Sequence, residues 1–219
     1  MIASQLISKT ISPLRTSDIG EEALTMMNVY HVKHLPVVNN SEILGLVSEE
    51  DILSNDLDEA IGSYELSLLK PYSNEKDHLF EVMSLMSKHK LTVVPVVDRD
   101  KNFLGLITQE DLMAYFSTRF SFEEPGSIVV LETTKSNYSL AEISRIVEEE
   151  SATILTSIIS SQRDSELIDI TLKINKIDIL KIINSFQRYD YSIKASFSEA
   201  EFTDTLKDRY DSLMNYLNV

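Results

Sequence analysis

The sequence predicts an α+β protein: a helix–strand–strand–helix unit present twice and paired about a pseudo-twofold axis, then a ferredoxin-like βαββαβ domain and a terminal helix. Three observations predict it. A seven-residue phrase recurs, "GLVSEED" from Gly45 to Asp51 and "GLITQED" from Gly105 to Asp111, sixty positions apart. Upstream, "LPVV" (Leu35–Val38) is answered by "VPVV" (Val94–Val97) at an offset of 59, so one residue is gained between the matches, where a surface turn absorbs it. After Pro125-Gly126, a turn signal, the pattern changes to alternating strands and helical stripes.

Each repeat opens with an amphipathic stretch, Ala23, Leu24 and Met27 in the first and Val82, Met83 and Met86 in the second. Met26, Met27, Met83 and Met86 read as helical core positions. A short apolar strand follows (Val37–Val38; Val96–Val97), then a polar turn, a second strand ("EILGLV"; "NFLGLI") and a helix opening at Ser48 or Thr108. A unit of about sixty residues is small for an independent core, which argues for two copies packed together. The expected divisions are 1–62 and 63–122 for the repeats, 127–197 for the sheet domain and 198–219 for the last helix. "SNDLDEAIGSYELSLLK" (Ser54–Lys70) connects the repeats.

In the third domain "SIVVLETT" reads as a strand, and "SLAEISRIVEEES" as a helix with Leu140, Ile143 and Val147 on one face. "ATILTSIIS" is a second strand. Ile168, Ile170, Leu172 and Ile174 alternate with polar residues at a period of two. "DILKIINSFQRY" returns to helical spacing through Leu180, Ile183 and Phe186. "YSIKASF" alternates again, with Tyr191, Ile193, Ala195 and Phe197 on one side. The tail carries Phe202, Leu206, Tyr210, Leu213 and Leu217 at steps of three or four, an amphipathic helix whose stripe needs cover from its own domain or from a second subunit.

Composition narrows the function. The formal net charge is −15 with no Lys/Arg stripe, which disfavours nucleic acid as a partner. No apolar run reaches the roughly 18 residues of a membrane span. The N-terminus has no basic segment leading an apolar core, and there is no cysteine, so a cytoplasmic protein without disulfides or thiolate-bound metal is expected. Glycine-rich phosphate loops and nucleophile elbows are absent, and five glycines leave no room for the former. His31 and His34 straddle a helix-to-strand boundary and do not align as a metal pair; His78 and His89 fall on a polar helix face. No catalytic, cofactor or metal site is expected.

The repeated phrase has two compatible readings. Ser48-x-x-Asp51 and Thr108-x-x-Asp111 have capping-box spacing, with Asp replacing the usual Glu or Gln. The same hydroxyl and acid at a helix mouth also suit the phosphate and ribose of a nucleoside phosphate. Gly45 and Gly105 permit close approach of another backbone or of a ligand.

The tandem "PVV…GLVSEED" and "PVV…GLITQED" resemble paired CBS domains, regulatory modules that bind adenosine-type ligands. The resemblance covers about residues 1–120. It implies that Ser48 and Thr108 face phosphate or ribose, and that Asp51 and Asp111 take the ribose hydroxyls. It also implies basic residues before the "PVV" strand; Lys33 and His34 fit, whereas the second copy has Thr92 and Val93. Residues 127–197 resemble an ACT domain, although Asn137-Tyr138 stands where that family has Pro-Gly, which points to dimerisation rather than amino-acid binding. The combination is similar to acetoin-utilisation regulators. A non-catalytic homodimeric sensor of AMP, ADP, ATP or another adenosyl compound is the implied function. The alternative is a structural module whose clefts bind nothing.

Overall fold

The computed structural model describes residues 1–64, 71–161 and 165–198. The expected terminal helix therefore lies outside the described residues. The chain divides into two compact units, Met1–Tyr115 and Phe116–Val219.

In the first unit the repeats appear as two three-stranded sheets of one design. The first contains β1 (Leu14–Arg15), β2 (His34–Asn39) and β3 (Glu42–Ser48), with α1 (Gly20–Val29) before β2 and the short α2 (Glu49–Leu53) after β3. The second contains β4 (Ser73–Asn74), β5 (Val93–Val97) and β6 (Phe103–Thr108), with α3 (Leu79–His89) and α4 (Gln109–Arg119). In both sheets the hairpin is antiparallel and the two-residue strand pairs in parallel with its first strand. The sequence reading missed β1 and β4, which are too short to show a period.

Ala23, Met27, Val82 and Met86 are buried as their spacing requires. Met83 departs from the expected core: it is 38% exposed, because Leu79, Val82 and Met86 already fill the buried stripe of α3.

The repeats meet through residues that correspond to one another. The Lys33 amide donates to Thr92 Oγ1 at 2.9 Å, and Glu42 bridges Asn102. Equivalent positions of two copies touch only on an axis relating them, so these pairs mark the pseudo-twofold axis. The segment preceding each repeat also crosses to the other. Ala3 and Ser4 amides donate to Asp77 and Glu75 carbonyls, both at 2.9 Å, while Ile61 and Gly62 amides donate to Asp18 and Thr16 carbonyls, both at 2.8 Å.

The second unit is β7 (Ser127–Thr134), α5 (Leu140–Glu149), β8 (Ile154–Ser161), β9 (Leu167–Ile174), α6 (Leu180–Arg188) and β10 (Ser192–Phe197), with the sheet ordered β10-β7-β9-β8 and wholly antiparallel. That is the ferredoxin-like arrangement. Ile168, Ile170, Leu172 and Ile174 form one core with Val129, Leu131, Ile143, Ile146, Val147, Ile182 and Phe186. Two helical stripes are rotated from the expected ones: Leu140 is 46% and Leu180 69% exposed, and Ile146 and Ile182 occupy the core instead. A bulge at Lys194 divides β10, so Tyr191 and Ile193 face the helices while Phe197, opposite Ile128, turns to the other face.

Candidate functional site

Both helix mouths are built alike. The Ser48 backbone amide and hydroxyl donate to Asp51 Oδ2 at 2.9 and 2.7 Å, and the Asp51 amide donates back to Ser48 Oγ at 3.1 Å. Thr108 and Asp111 repeat this at 3.0, 2.8 and 2.9 Å. These are reciprocal capping boxes, and Asp serves in them because its shorter arm still reaches the cap amide. The first amide of each helix is tied as well, Glu49 N–H to the Lys33 carbonyl and Gln109 N–H to the Thr92 carbonyl.

This wiring decides what each mouth has left to offer. The hydroxyl protons of Ser48 and Thr108 are committed to carboxylates, so donation to a phosphate requires breaking a charge-assisted bond. Oδ1 of Asp51 and of Asp111 has no partner among the described residues, and a free carboxylate oxygen is an acceptor for a diol. Ser48, Asp51 and Asp111 are half-buried; Thr108, at 9% exposure, is buried.

The two glycines occupy the same register. Gly45 faces Val37 and Gly105 faces Val96, each beside the bulge of its hairpin. At Gly105, where φ is +150°, a Cβ would stand 2.3 Å from Ile7 Cγ2 and 3.0 Å from the Ser8 carbonyl. What approaches this glycine is the chain's own N-terminal segment, bridged to Leu106, and no open floor for a base remains above it.

His34 sits across β2–β3 from Ser48, and its ring turns to the pseudo-twofold axis. Nδ1 accepts from the Thr92 amide at 3.3 Å and lies 3.1 Å from Thr92 Oγ1. A backbone amide can only donate, so Nδ1 is unprotonated and the neutral ring carries its proton on Nε2. Burial lowers the His34 pKa, Asp51 opposes that shift, and Lys33 adds to it. Lys33 itself projects outward, 73% exposed and 3.8 Å from Glu49. The structure thus brings Ser48, Asp51 and His34 together at one mouth and leaves Lys33 at its rim. The second copy offers Val93 in place of His34, buried and without a polar atom.

His78, expected on a solvated face, caps α3 through Nδ1. Among the described residues no group of three or more His, Asp or Glu is arranged to hold a metal, and no helix is long and apolar enough to cross a membrane. A cavity of about 740 Å³ opens at the far end of β2, lined by residues including Arg15, Thr16, Met26 and Asn39; it shares no residue with either mouth.

A duplicated capping hydroxyl and acid at the end of each hairpin, on two sheets related by a pseudo-twofold axis, define a tandem-repeat α+β fold. Residues 4–58 and 71–118 match the CBS domain family, and the first unit is a CBS domain pair. Homoserine O-acetyltransferase of Methanosarcina acetivorans is 25% identical over 123 residues, 53% of this chain and 22% of that protein. The chain thus spans less than a quarter of such curated relatives. Among solved structures, a CBS domain pair/ACT domain protein from Thermotoga maritima is 24% identical, with 54% of this chain and 98% of that one covered and a TM-score of 0.48. A Vibrio cholerae protein assigned to acetoin utilization is 20% identical, covering 57% and 96%, also at 0.48. CBSX2, solved in complex with AMP, is 18% identical, covering 53% and 96%, at 0.47.

Proposed function

We propose that the protein is a non-catalytic cytoplasmic sensor whose CBS pair binds an adenine nucleotide or related adenosyl compound and relays its occupancy to the ACT-like second unit, within a homodimer. The observation that carries this reading is the pair of free carboxylate oxygens, Asp51 Oδ1 and Asp111 Oδ1, presented at equivalent mouths. Each is an acceptor held rigidly by its own capping box, and a ribose diol supplies the matching donors. The mouths are unequal. The first has Lys33 and His34 for a phosphate, with the helix itself only five residues long. The second has Thr92 and Val93 in their places. The first mouth is therefore the one proposed to hold the charged end of a nucleotide. Signalling follows if the ligand distinguishes two packings of the repeats across the Lys33–Thr92 contact.

The test is thermal unfolding with AMP, ADP, ATP and S-adenosyl compounds, on the wild type and on Asp51→Asn. At about 100 times its dissociation constant a ligand adds roughly 2.7 kcal/mol, and each kcal/mol moves the midpoint of a chain this size by roughly 2–4 °C. The asparagine keeps one oxygen to accept from Ser48 and replaces the free one by an NH₂ that cannot accept from ribose. It should fold and lose the shift. No shift with any adenosine-containing compound returns the clefts to a purely structural role.

A further inference from the structure

The cavity at the far end of β2 serves neither mouth. It measures about 740 Å³, within the roughly 300–1,000 Å³ of small-molecule sites, and is lined wholly by residues 12–40 of the first repeat. Its floor is the turn from β1 to α1, and that turn is pinned. Asp18 Oδ2 accepts from the Arg15 amide at 2.8 Å, and the Asp18 amide donates back to the Arg15 carbonyl at 3.1 Å. The Ile61 and Gly62 amides donate to the Asp18 and Thr16 carbonyls, both at 2.8 Å. Two opposite charges line the cavity without meeting. Among the described residues the Arg15 guanidinium has no ion pair and no hydrogen bond, and Asp18 Oδ1 has no donor. The Thr16 and Ser17 hydroxyls and the Asn39 side-chain amide, which also line it, are equally uncommitted there.

The duplication separates what this turn needs from what it merely carries. Asp77 holds the second turn as Asp18 holds the first, accepting from the Asn74 amide at 2.7 Å. Asn74 is the counterpart of Arg15, paired with Val97 as Arg15 is with Val38. Its Nδ2 donates to both Asp77 oxygens, at 3.4 and 3.1 Å, so that carboxylate is fully engaged. Thr16 and Asn39 are answered by Glu75 and Asp98, the latter closed onto Asn102 at 2.8 and 2.9 Å. A repeat therefore folds without Arg15, Thr16 or Asn39. In the second copy three carboxylates, Glu75, Asp77 and Asp98, outnumber one lysine, Lys76. In the first a cation, two hydroxyls and one carboxylate oxygen are all left available. We infer that this cavity binds a small zwitterion, an α-amino acid whose carboxylate is taken by the Arg15 guanidinium and whose ammonium is taken by Asp18 Oδ1. A guanidinium fork matches a carboxylate bidentately. Thr16 and Ser17 add hydroxyl donors, and Met26 and Val38 offer the ligand's side chain an apolar wall. Asp18 disfavours a phosphate, which brings nearly two negative charges and no cation. This goes beyond the sensor reading and does not depend on it.

Full-length protein is unfolded thermally with each common α-amino acid in turn. The one that raises the midpoint most is then compared, by equilibrium dialysis, with its deaminated acid and its decarboxylated amine. The amino acid should bind more tightly than either. Arg15→Asn installs the residue that the second turn already carries, so it should fold and weaken binding roughly tenfold or more, the worth of one charge-assisted bond. Asp18→Asn keeps an oxygen for the Arg15 amide and loses the acceptor for the ammonium. It should bring the amino acid and the deaminated acid to equal affinity. No nucleotide enters the experiment, so its outcome is independent of the mouths. The proposal is overturned if no amino acid moves the midpoint, or if the shift survives in Arg15→Asn, which places the binding elsewhere on the chain. Equal binding of the deaminated acid to the wild type overturns it too, leaving a plain anion site.

Discussion

At the scale of single residues, His34 has the most conditional role. Its Nδ1 accepts from the Thr92 amide across the pseudo-twofold axis, an arrangement open only to the neutral ring. The folded protein therefore resists protonation there, and burial holds the pKa below the ordinary 6.5. The sign follows from proton counting. Between the depressed folded value and 6.5 the unfolded chain binds more protons, so stability rises with pH across that window and is lost as pH falls through it. Urea midpoints of wild type and His34→Gln, taken from pH 7.5 down to 5, should diverge, the wild type losing more because glutamine does not titrate. Parallel curves would show that the interlock contributes nothing to the pH response. If the proposed phosphate binds beside Ser48 it would favour the imidazolium, and the same residue would then tie acidity to ligand at the first mouth.

At the scale of elements, the sequence spoke plainly where a side chain repeats or alternates, and was silent where the backbone does the work. The capping boxes were legible because hydroxyl and acid stand three apart in both copies. The β9 face was legible because four branched residues alternate without interruption. Met83, Leu140 and Leu180 were misplaced because each helix offers more apolar positions than its core admits, and only packing chooses among them. The β10 bulge was invisible, since inserting Lys194 leaves the alternation of Tyr191, Ile193, Ala195 and Phe197 intact on paper while turning the last two over. Gly126, which leads into β7, is set by a backbone reason of the same kind. With φ at +154°, its missing Cβ would lie 2.1 Å from the Ile174 carbonyl oxygen, where β9 ends. Gly126→Ala should cost the second unit about 1–3 kcal/mol in conformational strain alone, lowering its midpoint by roughly 4–8 °C for each kcal/mol. A calorimetric transition left in place would mean that the turn relaxes freely.

At the scale of the molecule, duplication has produced neither two beads nor one seamless sheet. "MIAS" at Met1–Ser4 and "AIGS" at Ala60–Ser63 stand 59 apart, a third match that the longer phrase overshadows. The structure gives both the same task, to complete the repeat that their own chain segment does not belong to. Met1–Ser8 serves the second sheet: Ala3 is fully buried, the Ser8 amide donates to the Leu106 carbonyl at 2.9 Å, and Ile7 lies over Gly105. The segment around Ile61 serves the first, bonding to Thr16 and Asp18. Removing residues 1–8 should therefore injure the repeat farther along the chain. Native-state hydrogen exchange is the appropriate measurement, because it resolves openings smaller than global unfolding. The Leu106 amide, which donates to the Ser8 carbonyl, and amides of β4 and β5 should lose more protection than those of β2 and β3. If β2 and β3 lose more, each repeat is completed by its own leading segment and the crossing is not what joins them. The predicted pattern ties the two mouths mechanically. The segment that lies over Gly105 of the second sheet is the one that leads into β1 of the first.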